Sequence, residues 1–393
     1  VWQLLFLLLP VAAISGWYFG LRHLEKSLTA APEEAKLADD YFIGLNYLIN
    51  EQPDKAVDVF IKSLAADSST AEMHLALGSL FRRKGEVDRA IKIHQNLIAR
   101  PQLTKDQRSN ALFELAQDYL RAGVLDRAEK LFLELIALKE DDAASYKFLL
   151  SIYEKQKDWH QAITLAQKLA GFSQEEMRTP VAYYYCELAD EVISQGLTEQ
   201  AEIYFKKSLA QDKNCVRASI GLGKLMDSAK NCKAALRFYK SVREQDIDFL
   251  SEAAPFIAGC YDEIGYEAKE LVEFLQDSLR TTYNASLILF LVKYIDKHYG
   301  SVAAIDFVVA NDRPGVSLRT SNYLLELCVK NNTDEKNKHI LCLVEQSLDK
   351  FLANKPYYRC SNCGIGTKQL YWQCPGCRRW ATVKPIKKFE LEK

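Results

Sequence analysis

Three hydrophobic patterns follow one another along the chain. Residues 1–21 form an apolar run without a charged residue. From 37 to 354, apolar and small residues recur at helical spacing, broken at intervals by glycine or a polar turn. After 355 the periodicity stops, and paired cysteines, aromatics and lysines take over. At about 1.5 Å per residue, the first run is long enough to cross the roughly 30 Å hydrocarbon core of a bilayer. Trp2 lies at one end and Trp17, Tyr18 and Phe19 near the other, where amphipathic rings favour the headgroup level. Arg22, His23 and Lys26 follow at once, so the positive-inside rule predicts a single-pass transmembrane helix with the body on the cytoplasmic side. The alternative, a cleaved signal peptide, calls for a basic segment ahead of a shorter apolar core. Residues 22–36 read as a polar linker.

The middle of the chain repeats itself. Gly44 and Gly78 are 34 residues apart, as are Ala56 and Ala90. The same template pairs Ala116 with Ala128, Leu150 with Ala162, Ala189 with Ala201 and Gly223 with Ala235, each 12 apart. Large residues recur three after the first member (Tyr47, Phe81, Tyr119, Tyr153) and four after the second (Phe60, Phe132, Phe205, Tyr239). Gly85, Gly123 and Gly196 fall five before the second alanine, where a left-handed residue ends the first helix of a hairpin. Small residues let two antiparallel helices approach, and the large ones fill the groove to the next hairpin. This is the tetratricopeptide (TPR) signature, and it predicts an all-α superhelical solenoid over 37–354 with about eight to nine hairpins. Longer loops are expected around Pro101–Leu103 and over Gln174–Thr179. Past residue 250 the template weakens: Tyr261 and Gly265 keep it, but Glu270 stands where alanine belongs. Tyr294, Ala303 and Phe307 mark a further unit, and Asn331 to Asp334 read as the turn of a last pair over 320–352. Such arrays bind protein segments on the surface lined by the first helix of each hairpin. Glu72, Ser79, Arg82, Asn110, Gln117 and Arg121 are the exposed first-helix candidates for partner binding.

Charge alters this picture only at the end of the chain. With 51 Lys/Arg against 52 Asp/Glu, the net charge is −1, which exerts no overall pull toward nucleic acid. Residues 355–393, however, hold nine Lys/Arg against Glu390 and Glu392, leaving 42 basic and 50 acidic residues elsewhere. A basic tail on an acidic body predicts internal docking, with the last helical pair as its expected seat. Six of the ten cysteines (Cys186, Cys215, Cys232, Cys260, Cys328 and Cys342) are scattered and read as small buried hydrophobes. The other four, Cys360, Cys363, Cys374 and Cys377, form two C-x2-C knuckles with ten residues between them. Four thiolates suit a closed tetrahedral site for one metal ion, zinc in preference to iron, and a pair of disulfides is the alternative. A ribbon with so little apolar sequence depends on its metal to fold. Tyr358, Tyr371, Trp372 and Trp380 surround the knuckles and can pack the ribbon on the solenoid. Arg378, Arg379, Lys384, Lys387 and Lys388 form a basic patch, suited to docking on the acidic array more than to nucleic acid.

No catalytic motif appears. Gly221-Leu222-Gly223-Lys224 resembles a fragment of a phosphate loop, but no strand precedes it. His74, His94, His160, His298 and His339 are dispersed, without a carboxylate or cysteine constellation. The chain reads as one that holds proteins, not as an enzyme.

Taken together, anchor, array and ribbon resemble the lipopolysaccharide assembly protein B family of Gram-negative bacteria. The matching stretches are LLFLLLPVAA and GWYFG in the anchor, GEVDRAIKIHQ in the second repeat, YYYCELA in the fifth, and YRCSNCG, LYWQCPGCRRW and VKPI at the end. The resemblance is weakest over 250–350. It implies an inner-membrane regulator of lipopolysaccharide synthesis that promotes degradation of the deacetylase LpxC by the membrane protease FtsH. It also implies restraint by an inner-membrane partner that senses lipopolysaccharide, and metal ligation by Cys360, Cys363, Cys374 and Cys377. Two alternatives stay open: a general envelope-assembly scaffold that recruits biosynthetic enzymes, and a membrane-tethered, rubredoxin-like electron carrier.

Overall fold

The computed structural model describes residues 71–386, apart from 139–142, 172–173 and 311–316, together with a few isolated positions before 71. The expected membrane helix, the linker, the first repeat and the last lysines lie outside the described residues. Among the described residues no helix is long and apolar enough to cross a membrane. The chain divides after Gln156 into two compact units.

In the first unit, α1 (Ala71–Lys84), α2 (Val87–Ile98), α3 (Lys105–Ala122), α4 (Leu125–Leu138) and α5 (Ala143–Gln156) follow one another. The small positions of the template lie where helices cross: Ala90, Ala116 and Ala128 are fully buried. Gly78 is needed because the His94 ring occupies the space a Cβ would take. Gly85 and Gly123 both adopt positive φ and end their helices as expected. The loop at Pro101 is present, and Thr104 restarts the chain with a reciprocal capping box to Gln107. Phe113, Phe132 and Phe148 form the aromatic filling, with ring centroids 5.4–6.0 Å apart.

In the second unit the helices are α6 (Trp159–Ala170), α7 (Gln174–Ser194), α8 (Thr198–Gln211), α9 (Val216–Ser228), α10 (Cys232–Gln245), α11 (Leu250–Ile264), α12 (Ala268–Thr281), α13 (Ala285–Tyr299), α14 (Ser301–Ala310), α15 (Leu318–Asn331) and α16 (Glu335–Leu352). A 3-10 turn, Ile247–Phe249, precedes α11. Three expectations need correction here. The loop over Gln174–Thr179 is the start of α7, which runs through Pro180 at the cost of one intrahelical hydrogen bond. Burial of Val181, Ala182, Tyr183 and Tyr184 directly afterwards offsets that loss. At Gly265 the turn is one residue longer than at Gly85: α12 starts three residues after the glycine, whereas α2 starts two after. The buried contact therefore moves to Leu271, and Glu270 is solvated. In α14 the contact is Ala304, fully buried, and not Ala303. The last turn falls over 332–334, within the stretch expected for it.

Candidate metal centre

The ribbon is a three-stranded antiparallel sheet of order β2-β1-β3, with β1 at Tyr358–Cys360, β2 at Gly366–Thr367 and β3 at Val383–Pro385. Strand β1 delivers Cys360 into the first knuckle. The amides of Asn362 and Cys363 turn back on Cys360 Sγ at 3.4 and 3.5 Å. Gly364 takes φ +78° to close that knuckle, a conformation that glycine adopts without strain. Opposite, Cys374 N donates to Arg379 O at 2.9 Å, and Arg378 N to Cys374 O at 2.8 Å. At Gly376 a Cβ would stand 3.4 Å from Cys363 Sγ, so the second knuckle passes close over the first.

The four sulfurs lie within 4.8 Å of one another. Cys360 Sγ is 3.7 Å from Cys377 Sγ, and Cys363 Sγ is 3.6 Å from Cys374 Sγ. Four sulfurs about 2.3 Å from one tetrahedral metal stand about 3.8 Å apart, so the arrangement fits one ion. It does not fit two disulfides, whose bonded sulfurs are about 2.05 Å apart. Burial would raise the Cys360 thiol, but its contact with Thr382 and the two amide N–H groups outweigh that and bring it down to about 6. Burial pushes Cys374 the other way, up to about 11, so the four thiols give up their protons unequally as an ion binds.

The hairpin that carries Cys374 and Cys377 also carries Trp372 and Trp380, joined by Ala381 N donating to Trp372 O at 2.9 Å. Both indoles face the helices. Trp380 is 8% exposed and lies against Trp159, Tyr183 and Tyr184, with centroids 5.4–6.2 Å away. Trp372 stacks on Phe249 at 5.5 Å. Charge completes the contact. Lys384 Nζ reaches Asp246 Oδ2 at 2.7 Å and Asp248 Oδ2 at 3.2 Å, and Tyr358 Oη donates to Glu252 Oε1 at 3.1 Å. Arg319 donates to the carbonyls of Lys355 and Pro356 and lies 3.5 Å over the Tyr357 ring. The ribbon is thus docked, as the charge split anticipates, but on α6, α7 and the approach to α11. From the last helical pair, Arg319 at the start of α15 contributes. Tyr371 stays 43% exposed. A cleft of about 850 Å³ opens beside this junction, lined among others by Tyr283, Phe290, Lys293, Arg319, Tyr357 and Tyr358.

Residues 358–385 match a family described as the rubredoxin metal binding domain, and residues 43–102 and 113–176 match the tetratricopeptide repeat. The chain is 36% identical over 385 residues to lipopolysaccharide assembly protein B of Escherichia coli K12, covering 98% of each chain. It is 33% identical over 392 residues to the Haemophilus influenzae protein of the same name, again covering 98% of each. The chain belongs to the lipopolysaccharide assembly protein B family. Among solved structures, the C-terminal part of a TPR protein from Cytophaga hutchinsonii is similar at 14% identity and TM-score 0.44, covering 61% of this chain and 94% of that one.

In this member of the lipopolysaccharide assembly protein B family, the six partner-surface candidates divide into two groups. Glu72, Asn110 and Arg121 are exposed, whereas Ser79, Arg82 and Gln117 are half-buried around Glu114. Ser79 Oγ donates to Glu114 Oε2 at 2.8 Å, and Arg82 clamps Glu114 and Asp118 at 2.6 and 2.7 Å. Ser79 and Arg82 serve contacts between hairpins, because each faces a carboxylate one repeat further on, whereas Gln117 reaches Glu114 on its own helix at 3.5 Å. Glu72 and Asn110 share a small cleft with Ser79 and Glu114. His94, read as isolated, is fully buried and meets Asp118 Oδ2 at 2.5 Å. The scattered cysteines are not all independent either. Cys186 and Cys215 sulfurs are 3.8 Å apart, and Cys232 and Cys260 gather with Asp227, while Cys328 and Cys342 are only partly buried. Only Asp227 and Cys232 are near in sequence, five residues apart; His94 and Asp118 are 24 apart and Cys186 and Cys215 29, so no short-range spacing announces those meetings.

Proposed function

We propose that this protein is a membrane-tethered adaptor of lipopolysaccharide biosynthesis that presents LpxC to the FtsH protease from the cytoplasmic face of the inner membrane. Residues 1–21 are the tether, and Cys360, Cys363, Cys374 and Cys377 hold one zinc ion in a closed, structural site. The observation that carries the reading is the ribbon seated on the helices through Trp372, Trp380 and Lys384. That seat favours one composite, rigid presenting surface over two modules on a string. Family membership, whose named relatives act in lipopolysaccharide assembly, gives the surface its pathway. Confining the adaptor beside a membrane protease raises the effective concentration of whatever it holds, without any new contact at the protease's active site. A lipopolysaccharide-sensing inner-membrane partner would then act by occupying or blocking that surface.

The test follows LpxC half-life in cells lacking the protein, complemented with the full chain or with a chain lacking residues 1–21. The full chain should shorten the half-life. The shortened chain should fold, yet leave LpxC as long-lived as in the deletion strain. Equal activity of both forms would remove tethering from the mechanism, and no change with the full chain would favour a general scaffold instead.

A further inference from the structure

A second group of metal-type ligands lies inside the helices, 100 to 150 residues before the ribbon cysteines in sequence. Asp227 ends α9, Cys232 opens α10, and Cys260 sits on α11. Their ligand atoms lie within 4.8 Å of one another. A single oxygen, Asp227 Oδ1, stands 3.7 Å from Cys232 Sγ and 3.9 Å from Cys260 Sγ. For a tetrahedral ion with sulfurs at about 2.3 Å and oxygen at about 2.1 Å, such edges come to about 3.6–3.8 Å. The spacing nearly matches that within the ribbon's own sulfur cluster, 3.6 and 3.7 Å.

The surroundings are those of a cation site. Cys260 is 1% exposed and Cys232 is 8% exposed. Glu263 accepts from Cys232 Sγ at 2.8 Å, which adds a second carboxylate. No lysine or arginine among the described residues pairs with Asp227 or Glu263. The hydrogen bond to Glu263 pushes the Cys232 thiol up to about 11, and burial followed by Asp227 pushes Cys260 up to about 12. Tyr239 is fully buried with no hydrogen-bond partner for its hydroxyl among the described residues. Its phenol is raised by burial and then by the charges of Asp227, Cys260 and Cys232, which places it beside the group. Two thiols, two carboxylates and an unsatisfied phenol converge where no cationic side chain among the described residues pairs with the carboxylates.

We propose that Asp227, Cys232 and Cys260 form a second site for a thiophilic divalent cation of the zinc type, binding it through one carboxylate oxygen and two thiolates. Binding releases the two thiol protons to water: Cys232 hands its proton toward exposed Glu263, and Cys260 hands its proton to half-buried Asp227, which gives it up to water as the ion takes the carboxylate oxygen. The three ligands, then all negative, take up the ion's two positive charges. The fourth position is left to water or to Glu263. With three protein ligands the site is open, so it exchanges its ion more readily than the four-thiolate ribbon. Occupancy ties the α9–α10 turn to α11, the helix whose entry carries the ribbon's seat at Phe249 and Glu252.

The test is cadmium titration of the full chain, read by the number of ions retained and by cadmium-113 magnetic resonance. Wild type should take up two ions per chain and give two resonances, one of four-sulfur type and one of lower sulfur content. The second should be removed first by a chelator of intermediate strength. Cys232→Ala/Cys260→Ala should hold one ion and lose only the second resonance, with its helical circular dichroism intact. Asp227→Asn keeps both thiols and their packing, and should weaken the second ion at least tenfold while leaving the ribbon resonance in place. One ion per chain in wild type would overturn the proposal. So would a second resonance that persists in both variants, or a Cys232–Cys260 disulfide forming in place of metal uptake.

Discussion

The two sulfur clusters are held together by opposite means. In the ribbon, four thiols come from 18 consecutive residues, on a sheet whose strands are two or three residues long. So small a sheet has little core of its own, and apart from its seat on the helices its folding is expected to follow metal binding. In the helical cluster, three ligands come from three helices, brought together by a core that includes Ala235, Tyr239, Ile257 and Tyr261. That core forms whether or not an ion is bound. On the proposed reading the ribbon would need its metal to fold, and the helices would only bind one. What links the two regions is the indole seat, because Trp372 and Trp380 sit on the hairpin that supplies Cys374 and Cys377.

The largest effect should come from stripping the ribbon metal with a strong chelator. The ribbon should unfold and Trp372 and Trp380 fluorescence shift toward that of solvated indole, while the far-ultraviolet helical signal is largely kept. Unchanged tryptophan emission after complete metal loss would make the ribbon metal-independent and erase the contrast. Next, Trp380→Ala removes an indole packed against three aromatic rings, at a cost of about 3–5 kcal/mol to the docked state. It should leave metal content at one ribbon ion per chain, since no ligand is touched. Loss of the metal as well would mean that seat and site are a single structure.

Smaller again is Lys384→Met, which leaves Asp246 and Asp248 without their cation and should cost about 1.5–3 kcal/mol, read as a lower melting temperature. Although burial pulls the Lys384 ammonium down, the two carboxylates outweigh it and its pKa is raised. The stabilisation is therefore complete at neutral pH and is lost only in alkali, as pH climbs through the raised value. The variant should lack that alkaline loss. Smallest is Glu252→Gln. Burial raises the Glu252 carboxyl and the Tyr358 hydrogen bond only partly opposes it. The charged form is thus disfavoured by folding, and docking should strengthen as pH falls through the raised value. The amide keeps an acceptor for Tyr358, so stability at neutral pH should change by no more than about 0.5 kcal/mol, upward, and the acid gain should vanish. A marked loss would show that the carboxylate charge itself holds the ribbon.

These contrasts also explain what the sequence could and could not reveal. The knuckles are legible because two residues separate each cysteine pair, and the hairpin contacts because Gly78, Ala90, Ala116 and Ala128 recur in phase. Where one inserted residue lengthens the turn after Gly265, the template points to Glu270 while the core takes Leu271. The wider spacing between the repeats that hold Leu150 and Ala189 reads as a loop over Gln174–Thr179, whereas the extra residues lengthen α7 ahead of the buried Tyr183 and Tyr184. Ser79 and Arg82 look like solvent-facing residues until Glu114 and Asp118 of the next repeat are placed opposite them. The indoles were visible as aromatics, but their seat, some 120–220 residues earlier in the chain, was not. The same holds for Cys232 and Cys260, whose shared oxygen depends on tertiary packing alone.

The central claim is that ribbon and helices form one folded unit through the metal, and hydrogen exchange on Cys374→Ser against wild type tests it most directly. The variant loses one thiolate and should lose its metal. The account predicts faster exchange both after residue 355 and in the helices around Trp159, Tyr183, Tyr184 and the Ile247–Glu252 stretch, with α16 little changed. Faster exchange confined to residues after 355, with those helices as protected as before, would contradict it and leave the ribbon a separately tethered module.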